Sequence, residues 1–118
     1  MTALLFVGFS QDTDGYRRQV EGFAEACAAQ NVEPVVIFSP RFHESAVRGF
    51  FAGSNVRMWA GIDRWPEDDT PVSFPGATRM TYGSRDRRGQ TIFVIESAGV
   101  VRHESNTPAA LAEFLKKH

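Results

Sequence analysis

The sequence predicts an α/β domain: a three-layer α/β/α sandwich on a mixed central sheet, closed by a C-terminal β-hairpin and helix. Three observations carry this expectation. Ala3 to Phe9 is a near-continuous apolar run, the pattern of a strand covered on both faces. A helical period follows and gives way to a second apolar run, Pro34 to Phe38, which together make a strand–helix–strand unit with parallel strands. Near the C-terminus, Thr91 to Glu96 and Val100 to His103 flank Ser97-Ala98-Gly99, and Thr107-Pro108 opens a last helix.

Each element has its own local reason. The polar stretch Ser10 to Thr13 breaks the first strand. Tyr16, Val20, Phe23, Ala24 and Cys27 then recur at i, i+4, i+7, i+8 and i+11, while Arg17, Arg18, Glu21 and Glu25 lie around the other side. Asp14 or Thr13 is expected to cap this helix by accepting from a free N–H of its first turn, and Asn31 to end it in the left-handed region. After the second strand, Ser39-Pro40-Arg41 makes a turn, and Glu44 to Phe51 reads as a short helix with Val47, Phe50 and Phe51 inward. Gly53-Ser54-Asn55 stops it, and Val56 to Ile62 alternates as a third strand. Asp63 to Gly89 has no clear period; a short helix is expected around Gly76 to Tyr82. Gly99 supplies the positive φ of the final hairpin. In the last helix Thr107 is the cap, Pro108 stands where a missing N–H costs nothing, and Leu111, Phe114 and Leu115 form the buried stripe.

Composition narrows the classes of function. At 118 residues, with 42% hydrophobic and 23% charged residues, the chain suits one ordinary core, residues 1–118 as a single domain. A net charge of −1 gives no global field to draw nucleic acid or an anionic membrane. The lone cysteine excludes an intrachain disulfide and a cysteine-based zinc site. Leu4-Leu5-Phe6-Val7 is too short to span a bilayer and is followed by no small-residue cleavage site, so a cytoplasmic location is expected. His43, His103 and His118 are scattered, so no metal site is expected; no glycine-rich phosphate loop and no Gly-x-Ser-x-Gly elbow is present.

The order of elements, and above all the hairpin Phe93-Val94-Ile95-Glu96-Ser97-Ala98-Gly99-Val100-Val101, resembles the thioredoxin-like superfamily in its peroxiredoxin (alkyl hydroperoxide reductase/thiol-specific antioxidant) version. The resemblance covers nearly the whole chain and implies a thioredoxin-like fold. It also implies a redox cysteine at the start of the first long helix, where the helix end lowers the thiol pKa. That window here is Asp12-Thr13-Asp14-Gly15-Tyr16-Arg17, and Tyr16 stands where the Thr-x-x-Cys spacing from Thr13 would put the cysteine. The arginine that the family places shortly before its Phe-Val-Ile-Asp strand is replaced by Gln90, and the thioredoxin branch's cis-proline is missing as well. Peroxidase or disulfide-exchange chemistry by the family mechanism is therefore not expected, nor is a cofactor.

What the resemblance leaves is a place for binding. Sites in parallel α/β sheets form beyond the C-terminal ends of the strands. The residues expected to converge there are Asp14, Tyr16, Arg17, Arg41 and Gln90, a polar group around one tyrosine. It suits a small polar ligand or a protein partner, with a homodimer open and with neither membrane nor nucleic acid indicated. The bland reading pairs Asp14 with Arg17 on one helical turn. Two other readings stand beside the non-catalytic binding or adaptor module. One is a one-cysteine thiol redox protein using Cys27, although Cys27 falls on the apolar stripe of its helix. The other is a flavodoxin-like small-molecule binder, which needs five parallel strands. Arg85-Asp86-Arg87-Arg88 reads as a solvated loop that Glu67-Asp68-Asp69 can answer.

Overall fold

Strand β1 (Thr2–Val7) runs through the middle of the sheet and has a partner on each side. The computed structural model describes residues 1–9, 11–56, 58–64 and 91–117. Along the chain follow α1 (Thr13–Ala29), β2 (Glu33–Phe38), α2 (Glu44–Ala52), β3 (Trp59–Ile62), β4 (Ile92–Ile95), β5 (Val101–Ser105) and α3 (Pro108–Lys117). The five strands order as β3-β2-β1-β4-β5. Strands β1, β2 and β3 are mutually parallel, and β4 lies antiparallel to both β1 and β5. Leu5 sits opposite Val36 on one side and Ile92 on the other, so the most buried part of the sheet is aliphatic across three strands.

The two faces of the sheet are unequal. On one, Ala3, Leu5, Val7, Val36, Phe38, Ile92 and Val94 join a continuous core with Val20, Phe23 and Cys27 of α1, Val47 and Phe50 of α2, and Leu111 and Leu115 of α3. On the other, Leu4, Phe6 and Phe93 form a smaller cluster edged by Val35, Ile37 and Ile95. There the rings of Phe6 and Phe93 meet edge to face at 5.8 Å. All three described helices thus lie on one face. The cause is strand order: β2 lies beside β1 and β3 beyond β2, so two right-handed crossovers in the same direction put α1 and α2 on the same side. The helix expected around residues 76–82 lies outside the described residues.

Local chemistry sets the element ends. Asp12, rather than Thr13 or Asp14, caps α1, its carboxylate accepting from Gly15 N at 3.0 Å. Gly15 suits that arrangement, since a Cβ there would run into the Asp12 carboxylate. Asn31 takes φ 55° after the helix, and Gly99 takes φ 85° in the hairpin. Thr107 Oγ1 accepts from Ala110 N at 3.1 Å, with Pro108 as the first residue of α3. Strand β3 is shorter than its alternating sequence suggests and begins at Trp59, where Val35 offers the first partner in β2. Strand β5 runs on to Ser105, opposite Ile92, and a register shift between Val94 and Ile95 kinks the hairpin. The strand Thr91 to Glu96 is expected to bury Phe93 and Ile95, and the last helix Phe114. Phe93 is buried, whereas Ile95 and Phe114 are only half-buried, and Phe114 stacks on His103 with ring centroids 4.4 Å apart. No described helix is long and apolar enough to cross a membrane.

Candidate functional site

Beyond the C-terminal ends of β1 and β2, three short segments come together. β1 runs out into Phe9, the start of α1 brings Tyr16 and Arg17, and the turn after β2 brings Arg41 and Phe42. That turn is tight because Phe42 N donates to Ser39 O at 3.0 Å and Arg41 N to Ser39 Oγ at 3.3 Å. The turn drops Phe42 into the core and leaves Arg41 at the surface.

The side chains form a ladder of rings with a guanidinium at each end. Arg41 lies over the face of Phe9, 4.6 Å from its centroid. Phe9 meets Phe42 at 5.3 Å, Phe42 meets Tyr16 at 5.5 Å, and Tyr16 meets Phe50 of α2 at 5.6 Å. Arg17 closes the far end, 4.8 Å above the Phe50 ring. Most of these contacts are edge to face, the geometry in which one ring's positive rim meets another's negative face. Phe38, fully buried at the end of β2, underlies the row and touches both Tyr16 and Phe42.

The sequence expected four polar side chains around one tyrosine. Tyr16, Arg17 and Arg41 do share this cluster, but the tyrosine sits among phenylalanines and each arginine lies on a phenylalanine face. Asp14 is exposed on the first turn of α1, and Arg17 approaches Glu21 at 4.0 Å instead of Asp14. Gln90 lies outside the described residues, as do Ser10, His118, the acidic run at 67–69 and the basic run at 85–88. The residues that sequence reasoning missed are Phe9, Phe42 and Phe50. Their signal was present in the ten phenylalanines of the chain, three of which (Phe9, Phe38 and Phe42) fall at or just beyond strand ends.

The ends of the ladder differ chemically. Phe9 is 41% exposed and Arg41 forms no ion pair among the described residues, so that end offers an unpaired guanidinium above an open ring. Arg17 is shielded and has Glu21 beside it. The start of α1 would itself attract an anion, but Asp12 already occupies it and Asp14 follows. Among the described residues no group of three or more His, Cys, Asp or Glu side chains is placed to hold a metal ion.

Cys27 lies far from this ladder, fully buried beside Val20 and Phe23. Burial pushes its thiol from 9.0 up to about 12, so it is a protonated apolar group at neutral pH. Two outcomes follow. A thiol reagent should modify Cys27 only as fast as the protein opens, and at once in denaturant; prompt labelling of the native protein would contradict its placement. The unfolded chain releases the Cys27 proton at a lower pH than the folded one, so this residue makes stability fall between pH 9.0 and about 12. Replacement by alanine should remove that part of the alkaline decline, read from urea midpoints across the range. No protein-family model matches the chain, and no curated protein sequence matches it either.

Proposed function

We propose that this chain is a thioredoxin-like domain without thiol chemistry that works as a binding module, and that its recognition surface is the Arg41–Phe9 end of the ladder. The order β2-β1-β4-β5, with β4 alone reversed, supports the thioredoxin-like reading, with β3 as an addition outside β2. The reversed β4 also speaks against the flavodoxin-like alternative, whose strands all run parallel. With its thiol buried and protonated, Cys27 offers no nucleophile to the one-cysteine alternative.

The observation that carries the site is the guanidinium lying over an exposed ring. The contact keeps the Arg41 guanidinium beside the ring and leaves its N–H groups without an ion-pair partner among the described residues, so they can receive a carboxylate or phosphate in a two-pronged fashion. The exposed Phe9 ring beside it takes an apolar, planar body. The ligand class is therefore a small anion with an aromatic or similarly flat portion.

Benzoate and phenyl phosphate are suitable probes, titrated into the isotope-labelled protein while backbone amide signals are followed. Shifts should concentrate at Phe9, Arg41 and Phe42. Arg41→Ala and Phe9→Ala should each weaken binding at least tenfold. Arg41→Ala should cost less than about 1 kcal/mol of stability, since an exposed cation–π contact is worth no more. Phe9→Ala should cost about 1–2 kcal/mol, since its ring also packs edge to face on Phe42. If neither probe moves these signals, or if both variants bind as the parent does, the ladder is only a part of the core.

A further inference from the structure

Among the described residues strand β3 ends the sheet, and neither a charge nor a proline within it protects that edge. Natural edge strands carry charges, prolines or bulges that discourage pairing. Trp59-Ala60-Gly61-Ile62 has no charge and no proline, and all four residues are exposed, Trp59 to 72%. The backbone direction is fixed by the bond from Asp63 N to Phe38 O, 2.8 Å. Alternation along the strand then turns the N–H and C=O of Trp59 and Gly61 toward β2, and those of Ala60 and Ile62 outward.

We propose that β3 pairs antiparallel with β3 of a second copy of this chain, about a two-fold axis through Ala60. Residues opposite each other in an antiparallel pair share a face, so self-pairing must join positions of like parity. An axis at Gly61 would set Trp59 against Asp63, which is buried and lies past the end of the strand. An axis at Ala60 fits the backbone: its outward N–H and C=O exchange two hydrogen bonds with Ala60 of the partner copy. Trp59 then stands opposite the partner copy's Gly61 in a non-hydrogen-bonded pair, where side chains come closest. The space above Gly61 is open, with no atom within 4 Å of where a Cβ would be. Each indole covers the other copy's bare glycine, on the face of the sheet that also carries Val35 and Ile37.

The area argues for weak association. Three paired residues and two indoles bury less than the roughly 1,200 Å² at which stable interfaces begin, so the dimer forms reversibly and is seen only in concentrated solution. Strand β3 shares no residue with the ladder, so its pairing is independent of any ligand there.

Sedimentation equilibrium on the whole chain tests it, with Ala60→Pro and Gly61→Val beside the parent. The parent's mass should rise from monomer toward dimer with concentration, up to about 1 mM. Proline at position 60 removes only an outward N–H, a place where edge strands tolerate it, and should weaken the dimer at least about tenfold. Valine at position 61 enters open space and suits a strand, so the monomer should melt no lower than the parent. It displaces the incoming indole, however, and should weaken the dimer to a similar degree. If circular dichroism shows Ala60→Pro to be unfolded, Gly61→Val alone decides. A parent that stays monomeric throughout, or a folded variant that dimerises as the parent does, overturns the proposal.

Discussion

Phe38→Ala is expected to destabilise the protein by about 4–5 kcal/mol, the upper part of the range for truncating a buried phenylalanine. The residue is 1% exposed, so the transfer cost is nearly complete. Its ring also meets Phe42 at 5.1 Å, Phe50 at 6.2 Å, Phe51 at 6.1 Å and Tyr16 at 6.4 Å. Each edge-to-face contact adds to area burial, and neighbours that size leave a cavity which few side chains can relax into. A domain of this length has about 5–15 kcal/mol in all, so the variant should sit close to its unfolding threshold. In urea the midpoint should fall sharply with the slope unchanged, and the melting temperature should drop by roughly 15–20 °C. A loss under about 2 kcal/mol would mean that the aromatic row repacks around the gap. The same substitution removes the floor beneath Tyr16 and Phe42, so probe binding at Arg41 should weaken along with stability.

The readable parts of this molecule are those fixed by a few adjacent residues. Asn31, Gly99 and Thr107-Pro108 each take the backbone role that their chemistry favours, because a left-handed turn or a helix cap is decided within one turn of chain. The βαβ unit was legible for a similar reason, since its two apolar runs and the helical period between them are local patterns. What the sequence hid depends on distant partners. Val56 to Ile62 alternates throughout, yet pairing starts at Trp59, opposite Val35, because Pro34 before it in β2 has no N–H with which to continue the ladder. Which face α2 covers follows from the place of β3 outside β2, and no residue of α2 encodes that. The site shows the same division. Its location past the ends of β1 and β2 follows from strand direction, but its aromatic character does not. Phe9, Phe42 and Phe50 look like any core phenylalanines until the turn at Ser39 and the start of α1 bring them into one row.

Leu111→Ala should cost nearly as much as Phe38→Ala, about 3–4 kcal/mol, and should do so without touching the ladder. Leu111 is fully buried and anchors α3 in the core that α1 shares. The two helices approach closely: a Cβ built on Gly22 would stand 3.3 Å from Pro108 Cβ, so there is little room for α3 to shift and fill a void. The cost then comes mostly from the unfilled cavity. None of the ring contacts that make up the ladder involves Leu111 or any other residue of α3. Below its lowered melting temperature the variant should therefore bind benzoate or phenyl phosphate with the parent's affinity. Phe38→Ala, compared at equal distance below its own melting temperature, should not. Equal losses of affinity in both would mean that the Arg41–Phe9 surface responds to general loosening of the core, and the ladder would then be no separable site. A deficit confined to Phe38→Ala ties binding to the rings beneath Arg41, because α3 can lose its anchor while Phe42 and Tyr16 keep theirs.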